Sequence, residues 1–222
     1  MVKKFRKAVD HIESRVRRDV VFHIFLNCPA ALAVGLGASI DCLKKVVVYH
    51  YNVAPEPVSE LNGSLSGSYR YLRVIDLSNI SPHILKQRVG PNYDYINKQQ
   101  VLITDGNDVC MALGLSSHNP GAAARSFAQK NKWSLICLDN KYNGHLSRDQ
   151  DWLQVMREVV SELLRLGGQE GVRIHLVLSA PIAMAFAIGM GLGMQMQVTV
   201  YNWFRERQTY IRVLDLNKLQ LL

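Results

Sequence analysis

Phe22–Tyr49 reads FHIFLNCPAALAVGLGASIDCLKKVVVY, and Ile174–Tyr201 reads IHLVLSAPIAMAFAIGMGLGMQMQVTVY. The two stretches align without a gap. His23 falls on His175, Leu26 on Leu178, Pro29 on Pro181, Gly37 on Gly189, Val46 on Val198 and Tyr49 on Tyr201. A second match follows each copy, YLRVIDL at Tyr71–Leu77 and YIRVLDL at Tyr210–Leu216. An amphipathic pattern precedes each copy. The first places Val2, Phe5, Val9, Ile12, Val16 and Val20 on one face; the second spans Trp152 to Leu166. Agreement over such lengths marks an internal duplication. Its shared order is helix, strand, turn, helix, strand, loop, strand.

In each copy the first strand is a short apolar run without alternation, as a strand covered on both faces requires. It ends at Asn27-Cys28-Pro29 or Ser179-Ala180-Pro181, and a small-residue helix follows (Ala30–Ala38, Ile182–Gly193). Asn and Ser are good helix N-caps, and Pro suits the first turn. Between the copies, Val109–Ser116 reads as a buried strand, Ser117-His118-Asn119-Pro120 as a capping turn, Gly121–Asn131 as a helix and Trp133–Leu138 as a strand. Residues 105–222 therefore run βαβ, helix, βαββ, while residues 1–80 lack a βαβ unit ahead of their opening helix. Residues 81–104 read as a connecting loop region, and Tyr51–Ser68 and Gln87–Gln99 as Gly/Pro/Asn-rich loops. No linker separates independent domains, so residues 1–222 are read as a single domain.

The 222 residues are 48% hydrophobic, which excludes disorder as the main state. With 26 Lys and Arg against 18 Asp and Glu, the charge is +8, favouring an anionic partner such as a nucleotide, nucleic acid or anionic lipid. Lys3, Lys4, Arg6, Lys7, Arg15, Arg17 and Arg18 stud the first helix, as do Arg125, Lys130 and Lys132 a later one; such runs read first as solvated faces. Cys28, Cys42, Cys110 and Cys137 form no C-x-x-C pair and read as buried thiols of a reducing compartment. The charged N-terminus is no signal peptide, so the expected location is cytoplasmic. Leu176–Met194 carries no charge and is about as long as a bilayer span. Its Ser-Ala-Pro break, and the copy of the pattern bearing Asp41 and two lysines, argue for a strand and helix instead.

Ligands of open α/β sheets gather at the carboxyl ends of strands, where the following helix offers free N–H groups and a positive dipole end. Three turns of this kind occur: Asn27–Ala30, Ser116–Gly121 and Ser179–Ile182. The candidate ligand contacts are Asn27 and Cys28, Ser116, Ser117 and His118, and Ser179 and Ala180. Trp203 with Arg205 and Arg207 joins an aromatic ring to cations just past a strand, a pairing suited to base stacking and phosphate neutralisation, or to an oligomer contact. His23 and His175 lie inside strands and read as satisfied core histidines. Tyr49 and Tyr201 read as core residues before base-stacking ones. Two repeat-related turns suit a ligand that is itself nearly repetitive.

The segment IHLVLSAPIAMAFAIGMGLG…VTVYNW…YIRVLDL resembles the C-terminal run of SAVED domains, and ALGLSSHNPGAAARSF resembles their upstream strand, turn and helix. The resemblance implies an α/β fold of two fused, pseudo-symmetric, Rossmann-like (CARF-like) halves, here with the first incomplete at its N-terminus. It implies a sensor of cyclic di-, tri- or tetranucleotides in CBASS or type III CRISPR antiviral defence. Such a sensor signals by ligand-induced oligomerisation or by switching on an effector; a fused effector is not expected within these 222 residues, so the expected partners are further copies of the chain or a separate effector subunit. No nucleophile–base pair, metal cluster, P-loop or dinucleotide fingerprint stands out, so no cofactor, metal or catalytic residue is assigned. The glycines at 189, 191 and 193 fall inside the helix, past the turn that would hold a pyrophosphate. Two alternatives stay open. A ring nuclease could cut the bound ring by in-line positioning of its 2′-OH. A structural subunit could carry a degenerate pocket.

Overall fold

The computed structural model describes residues 1–16, 19–40, 42, 44–52, 70–79, 81–142 and 144–221. In chain order the elements are α1 (Val2–Arg15), β1 (Val21–Phe25), α2 (Ala30–Ile40), β2 (Lys45–Asn52), β3 (Arg70–Asp76), β4 (Ile96–Leu102), β5 (Asp108–Gly114), α3 (Gly121–Asn131), β6 (Ser134–Asn140), α4 (Trp152–Gly167), β7 (Arg173–Ser179), α5 (Ile182–Leu192), β8 (Val198–Phe204) and β9 (Thr209–Asp215). The loop expected over Tyr51–Ser68 lies, but for its first two residues, outside the described residues, as do Arg17, Arg18 and Asp41.

Both copies of the duplicated pattern build the same three-strand unit. β1 pairs parallel with β2 and β2 antiparallel with β3; β7 pairs parallel with β8 and β8 antiparallel with β9. The ladder irregularities coincide too, between Val48 and Tyr49 and between Val200 and Tyr201. The first unit stands alone as a sheet of order β1-β2-β3, while the second continues into β4-β6-β5-β7-β8-β9. The stretch 81–104, expected as connecting loop, thus contributes an edge strand, β4, antiparallel to β6. Two buried carboxylates of α4 tie it down. Glu158 accepts from the N–H groups of Asp94, Tyr95 and Ile96, and Glu162 from Tyr93 Oη at 2.7 Å and Lys98 Nζ at 2.6 Å. Burying carboxylates requires such partners. Polar residues that read as loop material, Asn97–Gln100, form strand because β4 lies at the sheet edge, where all four stay exposed.

One continuous core joins the inward residues of both sheets to α1, α2, α4 and α5. α2 and α5 are apolar all round because they lie in the middle of it. They meet at Gly37 and Gly189, the aligned pair. A Cβ on Gly37 would strike the Phe186 carbonyl, and one on Gly189 the Val34 carbonyl. The duplication's pseudo-twofold relation therefore passes between these helices, and their small residues exist for backbone-to-backbone packing. Among the described residues no helix is long and apolar enough to cross a membrane.

A second, smaller core lies on the outer face of the six-stranded sheet, where α3 packs Ala124 and Ala128 onto Cys110, Cys137 and Val177. The three-stranded sheet has no such cover among the described residues. This overturns the expectation that both leading strands are covered on two faces. β7 is, but β1 alternates, with Phe22 and Ile24 buried and His23 and Phe25 exposed. An apolar residue on the open side, Phe25, disguised the alternation. The expected face of α1 is likewise covered only as far as Val9, since Ile12 and Val16 are exposed.

Candidate functional site

β1, β5 and β7 each end in a turn that feeds a helix, and the carboxyl end of β1 borders a cavity of about 390 Å³. Its wall combines Leu26 and Asn27 from that turn, Tyr49, His50 and Tyr51 from β2, Tyr71 from β3, and Ile182 and Ala183 from the start of α5. One repeat thus supplies the strand ends and the other the helix N-terminus. α5 begins after Pro181 with no side-chain cap, and Ala185 N–H closes a bond to the Pro181 carbonyl at 2.9 Å. The first-turn N–H groups ahead of it have no partner within the helix and carry the positive dipole end. The expectation that Ser179 caps this helix fails for a geometric reason. Its hydroxyl lies 2.5 Å from Ser116 Oγ, across the parallel β5–β7 pair.

His50 also walls a second cavity, of about 360 Å³, with Leu72 and Arg73 of β3, Arg148 and Gln150 of the loop before α4, and Trp152 at its start. The His50 and Trp152 rings lie 5.2 Å apart, and burial lowers the imidazole pKa, which keeps it neutral near pH 7. A neutral imidazole offers one donor and one acceptor. The loop is organised by the buried Asn140 amide, which donates to the carbonyls of Tyr142 (3.1 Å) and His145 (2.8 Å) and to Gln150 Oε1 (3.1 Å). The first chamber is therefore aromatic and amide-bearing, the second cationic, and His50 stands between them. Flat rings and phosphates each have a place.

The aromatic wall continues onto the open face of the three-stranded sheet. Phe25 stacks on Tyr49 at 4.3 Å, Tyr71 meets Phe25 edge-on at 5.0 Å, and Tyr51 lies 5.2 Å from Tyr71. In the other repeat, Tyr201 packs against Phe127 of α3 at 5.2 Å. His175 is a core histidine as expected. Its ring stacks on Trp133 at 3.6 Å, with Nε2 2.7 Å from Asp108 and Nδ1 3.0 Å from Tyr201 Oη. Burial lowers its pKa against the opposing pull of Asp108. His23 makes the equivalent contact to Tyr49 Oη at 2.9 Å but is exposed, so the core reading fails there.

Of the residues singled out in the sequence, Asn27 lines the first cavity. Cys28 is half-buried and packs against the main core, and burial pushes its thiol pKa up, so the thiol stays neutral. Ala180 also packs on the core. Ser116 meets Ser179, whereas Ser117 and His118 are exposed on the third turn. That turn is tied by Asn119 Oδ1, which accepts from Gly121 N–H at 2.7 Å, and it lies beside Asp139, a carboxyl whose pKa burial raises. Trp203 and Arg207 line a separate groove that shares no residue with the two cavities, and Arg205 is exposed on the same hairpin. Missed altogether were His50, Tyr51, Tyr71, Arg73, Arg148 and Trp152. The run Tyr49-His50-Tyr51, aligned with Tyr201-Asn202-Trp203, was the available signal: three rings at a strand's carboxyl end. Among the described residues no cluster of His, Cys, Asp or Glu could hold a metal ion.

The family model described as "SMODS-associated and fused to various effectors sensor domain" matches residues 1–59 and 78–216. No curated protein matches the chain. Among solved structures it is similar to the Acinetobacter baumannii Cap4 SAVED/CARF-domain containing receptor with the cyclic trinucleotide 3′3′3′-cAAA, at 17% identity and a TM-score of 0.67. The same receptor with 2′3′3′-cAAA gives 17% and 0.66, and the Moraxella osloensis Cap4 SAVED/CARF-domain containing receptor gives 15% and 0.56. Each alignment covers 97% of this chain, but only 42%, 42% and 41% of the respective receptors.

Proposed function

The chain belongs to the SAVED family, and from that premise we propose that it is a sensor module that binds a cyclic oligonucleotide in antiviral defence, with the site at the carboxyl end of the three-stranded sheet. The observation that carries this reading is the cavity pair joined at His50. An aromatic chamber meeting a helix N-terminus adjoins a chamber with arginines, as a ligand of alternating bases and phosphates needs. Both repeats contribute, through Asn27 and Tyr51 on one side and Ile182 and Ala183 on the other. Bases stack on Tyr49, Tyr51 or Tyr71, the Asn27 amide reads a base edge or ribose, and the first-turn N–H groups of α5 with Arg73 and Arg148 take phosphates. The similarity to receptors bound to cyclic trinucleotides makes that ring size the first to test. Signalling then passes to other copies or to an effector, fused or separate.

The test is a thermal-shift screen against cyclic di-, tri- and tetranucleotides, with the ligand recovered and chromatographed. A binder present at about 100 times its Kd adds roughly 2.7 kcal/mol of stability. The expected result is a clear shift with one ring, recovered intact. Linear products would make the protein a ring nuclease instead, and no shift with any member would refute the sensor reading.

A further inference from the structure

We propose that the groove between α3 and the β8–β9 hairpin is a second binding site, separate from the cavity pair, for the base–phosphate unit of a linear single-stranded nucleic acid. The groove has a volume of about 460 Å³. Phe127 and Lys130 of α3 form one wall and Trp203, Arg207 and Thr209 the other, with Ala122 and Ala123 leaving room between them.

Trp203 is 38% exposed. Its ring is held edge-on to Tyr210 at 5.1 Å, and Tyr210 is held edge-on to Phe127 at 5.4 Å. A ring anchored on a buried aromatic and still open to solvent is pre-organised for stacking, because little freedom remains to be lost on binding. The Arg207 guanidinium lies 5.8 Å over the Phe204 ring, and Gln208 turns the hairpin with a φ of 44°. Lys130, Arg205 and Arg207 make no ion pair among the described residues, and all are exposed. Arg125 and Lys132 are exposed on and just past the same helix, and Glu206 is the one carboxylate of the hairpin turn. The local field is therefore positive.

An open indole flanked by cations matches a nucleic-acid strand, whose bases stack without sequence preference while its phosphates meet Lys and Arg. An acidic peptide would use the cations and leave the indole idle. The groove shares no lining residue with the cavity assigned to the closed ring.

The test is a fluorescence-anisotropy titration of the full chain with a labelled single strand of about 15 nucleotides, near 50 mM salt. AMP and poly-glutamate serve as competitors. The expected results are binding that weakens steeply with salt and falls roughly 10-fold or more in Trp203→Ala. The Lys130→Glu/Arg207→Glu double variant should lose a similar factor, and Asn27→Asp should lose nothing. Far-UV circular dichroism confirms that each variant is folded, and the exposed charge-reversal pair is the arm least able to disturb the core. Competition by AMP at low concentration would assign the site to a free nucleotide instead of a strand. Absence of strand binding, equal binding by both variants, or displacement by poly-glutamate with no Trp203→Ala effect would overturn the proposal. Because Asn27→Asp reports on the other site, failure here and failure of the sensor reading are distinguishable.

Discussion

The units β1–β2–β3 and β7–β8–β9 are built from the same pattern and reach different ends. Each has a parallel pair, an antiparallel return, a ladder irregularity before the aligned tyrosine, and a His–Tyr contact. Each also pairs an arginine of its last strand with an aspartate three residues on, Arg73 with Asp76 and Arg212 with Asp215. Yet the second unit is extended by β5 and covered by α3, so His175 and Tyr201 lie against Trp133 and Phe127, while His23 and Phe25 face outward. The repeat determines the local geometry; what lies against it determines whether the geometry becomes core or surface. The open copy is the one whose tyrosines line the first cavity.

The largest effect should come where the two copies are equivalent. Gly37→Val and Gly189→Val each drive a side chain into the facing helix backbone. Either should cost about 3 kcal/mol or more, lowering Tm by roughly 10 °C in a chain this size. Calorimetry showing tolerance of one but not the other would break the pseudo-twofold account of the α2–α5 contact.

Next come positions where the copies differ. Phe127→Ala removes the ring that covers Tyr201 and Tyr210 and should cost roughly 2–3 kcal/mol. Phe25→Ala, 52% exposed, should cost under about 1 kcal/mol. Urea titration giving equal losses would mean that the outer face of the first sheet is covered after all.

The smallest effect is electrostatic. His175 and His50 have their pKa values lowered from 6.5 by burial. The unfolded chain therefore takes up these protons first as pH falls. Their contribution to stability is level above pH 6.5 and declines on acidification through that value. His175 is faced by Asp108, which opposes the shift, and by Arg173 and Arg212, which reinforce it. Denaturation midpoints between pH 8 and 5 should fall less steeply in His175→Gln than in the parent. An unchanged or steeper slope would show that His175 is not the desolvated partner of the pair.

Much of this was legible because it depended on period and spacing. The duplication set the order of elements, and Pro29, Pro181 and the small-residue runs placed α2 and α5. Less legible was whatever depends on partners remote in sequence. β4 is polar and reads as loop, but buried Glu158 and Glu162 of α4 hold it against the sheet edge. Exposure of His23 against burial of His175 follows from α3 and Trp133, not from either strand. In the site, Asn27 was visible as a strand-end residue. Arg148 and Trp152 were not, because Asn140 of β6 fixes the loop before α4, which faces β3 across the second cavity, a placement with no mark in the local sequence. Ser179 looked like a cap since Ser is a good one; Ser116, on the turn after the neighbouring strand, claimed its hydroxyl.

The most direct measurement is isothermal titration of a cyclic tri-adenylate into the parent chain and into Asn27→Asp, which sets a carboxylate in the wall opposite the start of α5. The account predicts saturable binding by the parent and a loss of at least about 10-fold in the variant, the scale of one repulsive contact of about 1.4 kcal/mol. Equal affinity in both proteins would remove the ligand from this cavity.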